Sequence, residues 1–453
     1  MSNMMQIGMS GLQASQAWLN VTASNVANAN TPGYSRHTLA VTTNADGTVS
    51  IDGVQRISDQ YLVAQAWDAG TEVGYSGAYA GYMMALENTF ATDGGNLGMG
   101  LDGYFAALSA CMADPGNTSL REDVLNASRE LCNQVNNIDG NLENQIDQVN
   151  KSMQAMVQEV NSLTQQIADL NMQIQEGMAS GQDVSALQDQ RDVAVLQLSE
   201  MLDISVIDCG DGTIQVTLPQ GQPLVSQGEA ATLGFSSGSQ PSDGKLELHF
   251  GEDVYYLNPD IGGALGATYE YYQEELIPAQ AYVDEFAQEF ADAMNSWQVV
   301  GYDLNGNPGQ PMFTYDPADP AGTLALAEGF TNANLAFASS PTSGAGDNSN
   351  LQNMLNVQNQ AFVFESLGGG SFTFNDSYNA VYSHIASAAS SAREAYEMAL
   401  TTMEQAYYSW SSVSGVNMDE EAMNLMTYQQ NYVANAQVIA TSDELFAVIM
   451  DMF

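Results

Sequence analysis

Both ends of this chain carry an apolar residue at every seventh position. Near the start, Met5, Leu12, Leu19 and Val26 keep that spacing; near the end, Met418, Leu425, Tyr432, Ile439, Phe446 and Phe453 do the same. A heptad sustained over several turns predicts a helix whose stripe must be covered by another helix. Chain ends ordinarily fray. Two ends with matching stripes are expected to pack against each other and against further copies of the chain. The residues from Met5 to Val26 and from Met418 to Phe446 are therefore the candidate assembly interface.

The charge map sharpens that expectation. The 453 residues hold 54 acids and 8 bases, a formal net charge of -46. Residues 1–35 carry no charged side chain, and residues 422–453 carry only Asp443, Glu444 and Asp451, so 43 of the 46 net negative charges lie between residues 36 and 421. Charge is kept out of the segments that would lie closest to their copies. Such acidity repels a phosphate backbone and excludes nucleic acid as a partner. No uninterrupted run of 18 apolar residues is present to insert in a membrane. Cys111, Cys132 and Cys209 are too few and too scattered for a disulfide framework, and all three are expected to be buried. Gln6, Ser10, Gln13, Ser15 and Gln16 break up the stretch where the apolar run of a cleaved signal peptide would sit.

Along the chain, Asn28, Asn30, Pro32, Gly33 and Tyr34 form a turn cluster that ends the first helix, with Pro32 and Gly33 suited to the two central positions of a type II turn. Residues 35–57 read as a hairpin with Leu39, Val41, Val49 and Ile51 facing inward, and residues 58–92 as helix. The longest periodic stretch, Val135 to Ile174, predicts a rod of about 40 residues at about 1.5 Å rise each. A second helix through Leu187 and Leu202 should return antiparallel to it. Short β-type runs fill 204–261, helix resumes over 263–297 with a break or kink at Pro278, and 301–348 reads as irregular. The last helix before Ser414-Gly415 runs through Val381 and Tyr407, and Asn417 with Glu420 has capping-box spacing.

The expected fold is mainly α: an elongated helical bundle with paired N- and C-terminal coiled-coil helices and a small β insertion. The units are a terminal coiled-coil assembly domain (1–70 with 414–453), a helical rod domain (71–205 with 262–300 and 349–413), the β insertion (206–261) and an irregular outer segment (301–348).

Little in the chain points to chemistry. Gly98, Gly100 and Gly103 have GxGxxG spacing but follow a helical pattern, not a strand, and are expected to form a flexible turn between helices. Asp303, Asn305 and Asn307 miss the spacing of a calcium loop, since Gly306 comes too early and no Glu stands at the twelfth position. His37, His249 and His384 are far apart, and no catalytic, metal or cofactor motif occurs. The chain reads as a structural protein, not an enzyme.

The segment Asn25-Val26-Ala27-Asn28-Ala29-Asn30-Thr31-Pro32-Gly33-Tyr34-Ser35-Arg36 closely resembles the N-terminal motif of bacterial flagellar rod, hook and hook-associated proteins. Further likeness runs in order through Gly103 to Leu108, Asp114-Pro115, Arg121, Asp189-Gln190-Arg191-Asp192, Gly262 to Gly266, Gly301 to Gly306, Ser414 to Glu421 and Tyr428 to Ala436. Together with the Tyr-Ser-Arg ending, these look most like the hook-associated protein 1 family, the first hook-filament junction proteins. The resemblance implies a ring of subunits in the extracellular flagellum, between the hook protein and the next hook-associated junction protein. It also implies export through the flagellar type III apparatus without a cleaved signal, and a cytoplasmic chaperone on the C-terminal helix. The terminal helices would be disordered or chaperone-covered in the monomer and fold on joining the ring. Another axial component, such as a hook or distal rod protein, is the alternative. A secreted enzyme on the same scaffold would need a catalytic or metal cluster within 206–350. Many family members insert a larger outer β domain between the equivalents of Phe313 and Phe372, and this chain is short there.

Overall fold

A computed structural model describes residues 2–91, 96–236 and 244–452. Thr92 and Phe453 lie outside the described residues. The chain is mainly helical with small sheets. Helix α1 (Ser2–Asn28) is followed by a hairpin of β1 (His37–Thr43) and β2 (Val49–Arg56), then by α2 (Gln60–Ala91), α3 (Leu97–Cys111), α4 (Thr118–Ala179) and α5 (Ser185–Met201).

The rod is longer than the periodicity suggests. Helix α4 has 62 residues, about 93 Å at about 1.5 Å each. Asn117 caps its first turn by accepting from the Ser119 and Leu120 N–H groups, and Val124, Leu125 and Leu131 are buried ahead of the recognised stripe. Helix α5 returns against it as expected.

Two antiparallel sheets follow. One has four strands, β3 (Ser205–Asp208), β4 (Ile214–Thr217), β5 (Pro223–Ser226) and β6 (Glu229–Ala230); the other has three, β7 (Thr232–Ser236), β8 (Lys245–Phe250) and β9 (Asp253–Leu257). Helix α6 (Gly263–Glu270) passes through one π turn, Tyr271–Leu276, into α7 (Ile277–Val300). Pro278 has no N–H to return to the preceding turn, and the wider turn just before it absorbs that loss.

Segment 301–348 is more ordered than its composition suggests. It contains β10 (Phe313–Thr314), α8 (Pro320–Thr323) and β11 (Ala325–Leu326), and it buries Met312, Phe313, Leu324, Leu335 and Phe337 in the common core. The Phe313 ring lies 5.3 Å from Phe290 of α7, and Phe290 lies 5.5 Å from Tyr104 of α3. Short turns of helix and strand lead on: α9 (Ser349–Asn356), β12 (Phe362–Phe364) and β13 (Gly370–Phe372). Two long helices close the chain, α10 (Phe374–Ser414) and α11 (Met418–Asp451). Ala392, Ala399 and Ala406 are buried on α10, which packs along α2.

Three expectations need correction. Gly98, Gly100 and Gly103 lie inside α3, not in a turn. Gly100 is there because a Cβ would stand 1.9 Å from Oε1 of Gln134, so the glycine lets α3 and α4 approach. In the hairpin, Leu39 is buried but Val41 and Ile51 are exposed. Ala40 pairs with Gly53 and Val41 with Ile51, so Asp52 is an extra residue on β2; Val41 and Ile51 pair beyond this bulge at the hairpin tip, where residues 41–47 are all exposed. Cys209 is exposed at the turn between β3 and β4, while Cys111 and Cys132 are buried.

Candidate functional site, an assembly interface

Helices α1 and α11 pack side by side and antiparallel. Gly8 faces Val438 and Ile439, Gly11 faces Asn435, the Trp18 and Tyr428 rings stack with centroids 4.9 Å apart, and Asn25 donates to Glu421 at 3.2 Å. The seam on α1 is thus Gly8, Gly11, Ser15, Trp18, Thr22 and Asn25, spaced by threes and fours as a coiled coil requires. These are mostly small or polar residues. At Gly11 a Cβ would sit 2.6 Å from Oδ1 of Asn435, so a side chain there would have to displace the Asn435 amide from the seam.

On α1 the apolar heptad therefore lies beside this seam, whereas on α11 its member Ile439 faces Gly8 within it. Leu12, Leu19 and Val26 each follow a seam residue by one position; Leu12 and Leu19 are half-buried, while Met5 and Val26 are exposed. On α11, Leu425 and Ile439 are half-buried, and Met418, Tyr432 and Phe446 are exposed. Met423, Met426, Val433, Leu445, Val448, Ile449 and Met450 extend the exposed apolar surface of α11. By length and composition one stretch within Phe374–Asp451 could cross a membrane, although uninterrupted apolar runs are short. Asn431, Asn435 and Gln437 interrupt it, and Asn435 packs on α1.

The turn after α1 fixes where the pair leaves the rest of the molecule. The Tyr34 N–H donates to the Thr31 carbonyl at 3.2 Å, and Gly33 has φ +77°, the type II geometry read from the sequence. Asn28 donates from its amide to the Ser24 carbonyl at 3.0 Å, and Asn30 is exposed. The Tyr34 hydroxyl donates to Oδ1 of Asn25 at 2.9 Å, and burial raises its pKa. Asn25 also exchanges two bonds of 2.9 Å with the His37 backbone.

Beyond the turn stand residues whose role the sequence did not disclose. Asp189 of α5 accepts from both the N–H and the hydroxyl of Ser35, and faces Nε2 of His37 at 3.3 Å and Nη1 of Arg56 at 3.4 Å. Ser35 and His37 both address the carboxylate and not each other, so this is a structural knot and not the relay of a nucleophile. Asp192 accepts from Arg56 at 2.5 Å. Burial pushes the Asp192 carboxyl up and Arg56 pulls it down. Arg191 donates to Asn171 of α4 at 3.0 Å and to the Gly212 carbonyl at 2.7 Å. The Asp-Gln-Arg-Asp segment thereby ties the hairpin, the rod and the first sheet together.

Among the described residues, one group of carboxylates could converge on a metal ion: Asp139, Asp284 and Asp319, with oxygens within 4.8 Å of one another. Asp284 and Asp319 already accept the Ala321 and Gly322 N–H groups at 3.0 Å. Burial, followed by the neighbouring carboxylates, raises Asp139 to about 7. Asp303 is likewise occupied, accepting from the Asn305 and Asn307 N–H groups and the Asn307 amide.

Residues 83–313 match the family model described as flagellar hook-associated protein FlgK helical domain. Residues 5–34 match that of flagella basal body rod protein, and residues 410–452 that of the flagellar basal body rod FlgEFG protein C-terminal. Over their whole lengths, the chain and the flagellar hook-associated protein 1 of Escherichia coli (strain K12) are 26% identical, and that of Salmonella typhimurium 27%. The same-named protein of Bacillus subtilis is 27% identical over 97% of this chain and 96% of its own. The structure of the flagellar hook junction protein FlgK from Burkholderia pseudomallei superimposes with a TM-score of 0.67 at 17% identity, over 79% of this chain and 100% of that one.

Proposed function

The chain belongs to the flagellar hook-associated protein FlgK family, structural components of the hook-filament junction, and from that premise we propose that it forms a ring of subunits joined through α1 and α11. The observation that carries this reading is the apolar surface left on the helix pair, in which α1 is uncharged and the acids of α11 stand at its two ends, Asp419 to Glu421 and Asp443, Glu444 and Asp451. Met5, Val26, Met418, Tyr432 and Phe446 remain exposed after α1 and α11 have paired. Roughly a third to a half of each of these side chains is still in water, so covering one contributes roughly 0.5–1.5 kcal/mol. The acidic middle of the chain is unsuited to close contact between copies, so the terminal helices form the inner wall and the acidic middle the exterior.

On this reading the ring stands between the hook protein and the next hook-associated junction protein. The chain travels through the flagellar type III apparatus without a cleaved signal, with a cytoplasmic chaperone covering the C-terminal helix. The units 1–70 with 414–453 assemble, and the rod, β insertion and segment 301–348 face outward. The matches at both ends are shared with rod proteins, which keeps a hook or distal rod role as the rival. Imaging of cells lacking the gene separates the two. Intact hooks without filaments support the junction role, whereas missing hooks refute it.

A further inference from the structure

Residues 35–37 are held from two sides at once. Their side chains alternate in direction, as along a strand. Ser35 and His37 reach Asp189 of α5, while Arg36 between them bonds Glu420 and Glu421 in the first turn of α11, each at 2.8 Å. Glu421 is 1% exposed, so this pair is largely withdrawn from solvent. The Arg36 backbone is fixed as well: its N–H donates to the Ser414 carbonyl at 2.7 Å, and its own carbonyl accepts from the Ile57 N–H at 2.8 Å. One short segment thus touches α5 of the rod, the break between α10 and α11, and the end of the hairpin.

We propose that Ser35-Arg36-His37 is a coupling latch, with Arg36 and Asp189 as positioning residues that make the terminal helix pair and the rod move as one body. No hydrogen bond or ion pair joins Arg36 to Asp189, so a link between them runs through the segment or through Asn25, which bonds both Glu421 and the His37 backbone. Arg191, two residues from Asp189, carries the link on to α4 and to the first sheet. The latch rests on the assembly reading only in that the terminal helices are the part whose order it transmits. Buried and charge-assisted bonds suit such a task, because breaking one leaves its partner uncompensated in a poorly hydrated site.

A double-mutant cycle on the full chain tests it. Amide exchange is followed in Arg36→Gln, Asp189→Asn and the double variant, both dilute and self-associated at high concentration, and read in whichever state protects α11. Arg36→Gln should speed exchange at least about tenfold in α5 around Asp189 as well as in the first turn of α11. Asp189→Asn should do the same in the first turn of α11, and the double variant should resemble the worse single. Arg36→Lys, which keeps the charge, should recover part of the protection. Variants that each loosen only their own side, with effects that multiply in the double, overturn the latch; so does an α11 unprotected in both states. Protection of α4 reports that the rod is folded, and Ser35→Ala replaces Asp189→Asn if that variant is not. Cross-effects in a chain whose self-association ignores Phe446→Asp would retain the latch and sink the assembly reading. The reverse pattern would do the opposite.

Discussion

Gly33 lies against Val193 so closely that a Cβ on the glycine would stand 2.0 Å from Cγ2 of the valine. The glycine thus meets two demands at once, a positive φ in the type II turn and contact between that turn and α5. This contact sets the terminal helix pair on the rod, next to the Asp189 knot. Gly33→Ala should cost about 2–4 kcal/mol, combining a left-handed penalty of about 1 kcal/mol with an overpacking cost of about 1–3 kcal/mol. In urea unfolding, adding Val193→Ala should recover the overpacking part and leave the backbone part. If the second substitution recovers nothing, the clash is not what excludes a side chain at Gly33.

The period of the ends was readable in the sequence, but the seam was not. Coiled-coil reasoning follows large apolar residues, and α1 meets α11 through Gly8, Gly11, Ser15 and Thr22, where absence of bulk permits close approach. The exposed heptad then became the informative part, since it is what the chain leaves uncovered. Local pattern also failed at Val41 and Ile51, because alternation cannot tell that the tip of the hairpin extends past the core it would face. Nothing near Asp189 in the sequence names Ser35, His37 or Arg56, which lie at least 133 residues away. Such long-range polar contacts have no periodicity to betray them. The turn at Pro32-Gly33 was legible because its cause is local.

Arg121 shows the same difficulty in a second place. The residue is 2% exposed, and its guanidinium pairs with carbonyls instead of a carboxylate: Pro115 at 2.6 Å, Asn332 at 2.8 Å and Leu335 at 2.9 Å, with the Phe337 ring centroid 4.5 Å away. It anchors segment 301–348 to the start of α4. Arg121→Met keeps much of the bulk but orphans those acceptors, so it should destabilise by about 3 kcal/mol or more. Amide exchange should rise across residues 302–338 before it rises in the centre of α4. A uniform rise along α4 would count against a local anchor.

The three-carboxylate group predicts an unusual pH dependence. Asp139 has an ordinary value of 3.8 and is raised to about 7 in the fold by burial, then by Asp284 and Asp319. The folded chain therefore holds this proton more tightly than the unfolded one. Its contribution to stability is complete below about pH 4 and is lost as pH rises through 7, by an amount on the order of 3–4 kcal/mol. Asp139→Asn should be more stable than the parent at pH 8, and should flatten the urea midpoint between pH 4 and 8. An unchanged pH profile in that variant would show that Asp139 titrates as an ordinary carboxylate.

Substitutions on α11 separate the seam from the outward face. Ile439 packs on Gly8 and Leu425 is half-buried, so aspartate at either position should loosen α1 in the monomer, raise its amide exchange and block filament formation, while α4 stays folded. In the dilute monomer, residues 1–35 and 415–453 should already be the first cleaved by protease, since the pair buries few large side chains. Phe446 makes the sharper test because it is 52% exposed. Phe446→Asp should change monomer stability by no more than about 0.5 kcal/mol. Self-association should nevertheless weaken by about three- to tenfold per contact, because about 0.7–1.5 kcal/mol of remaining apolar burial is lost, and the added negative charge stands beside Asp443 and Glu444. Urea unfolding of the dilute chain measures the first effect, and sedimentation across concentrations, with imaging of filaments on cells, the second. Assembly of Phe446→Asp at the parent's concentration would mean that copies meet through some other surface.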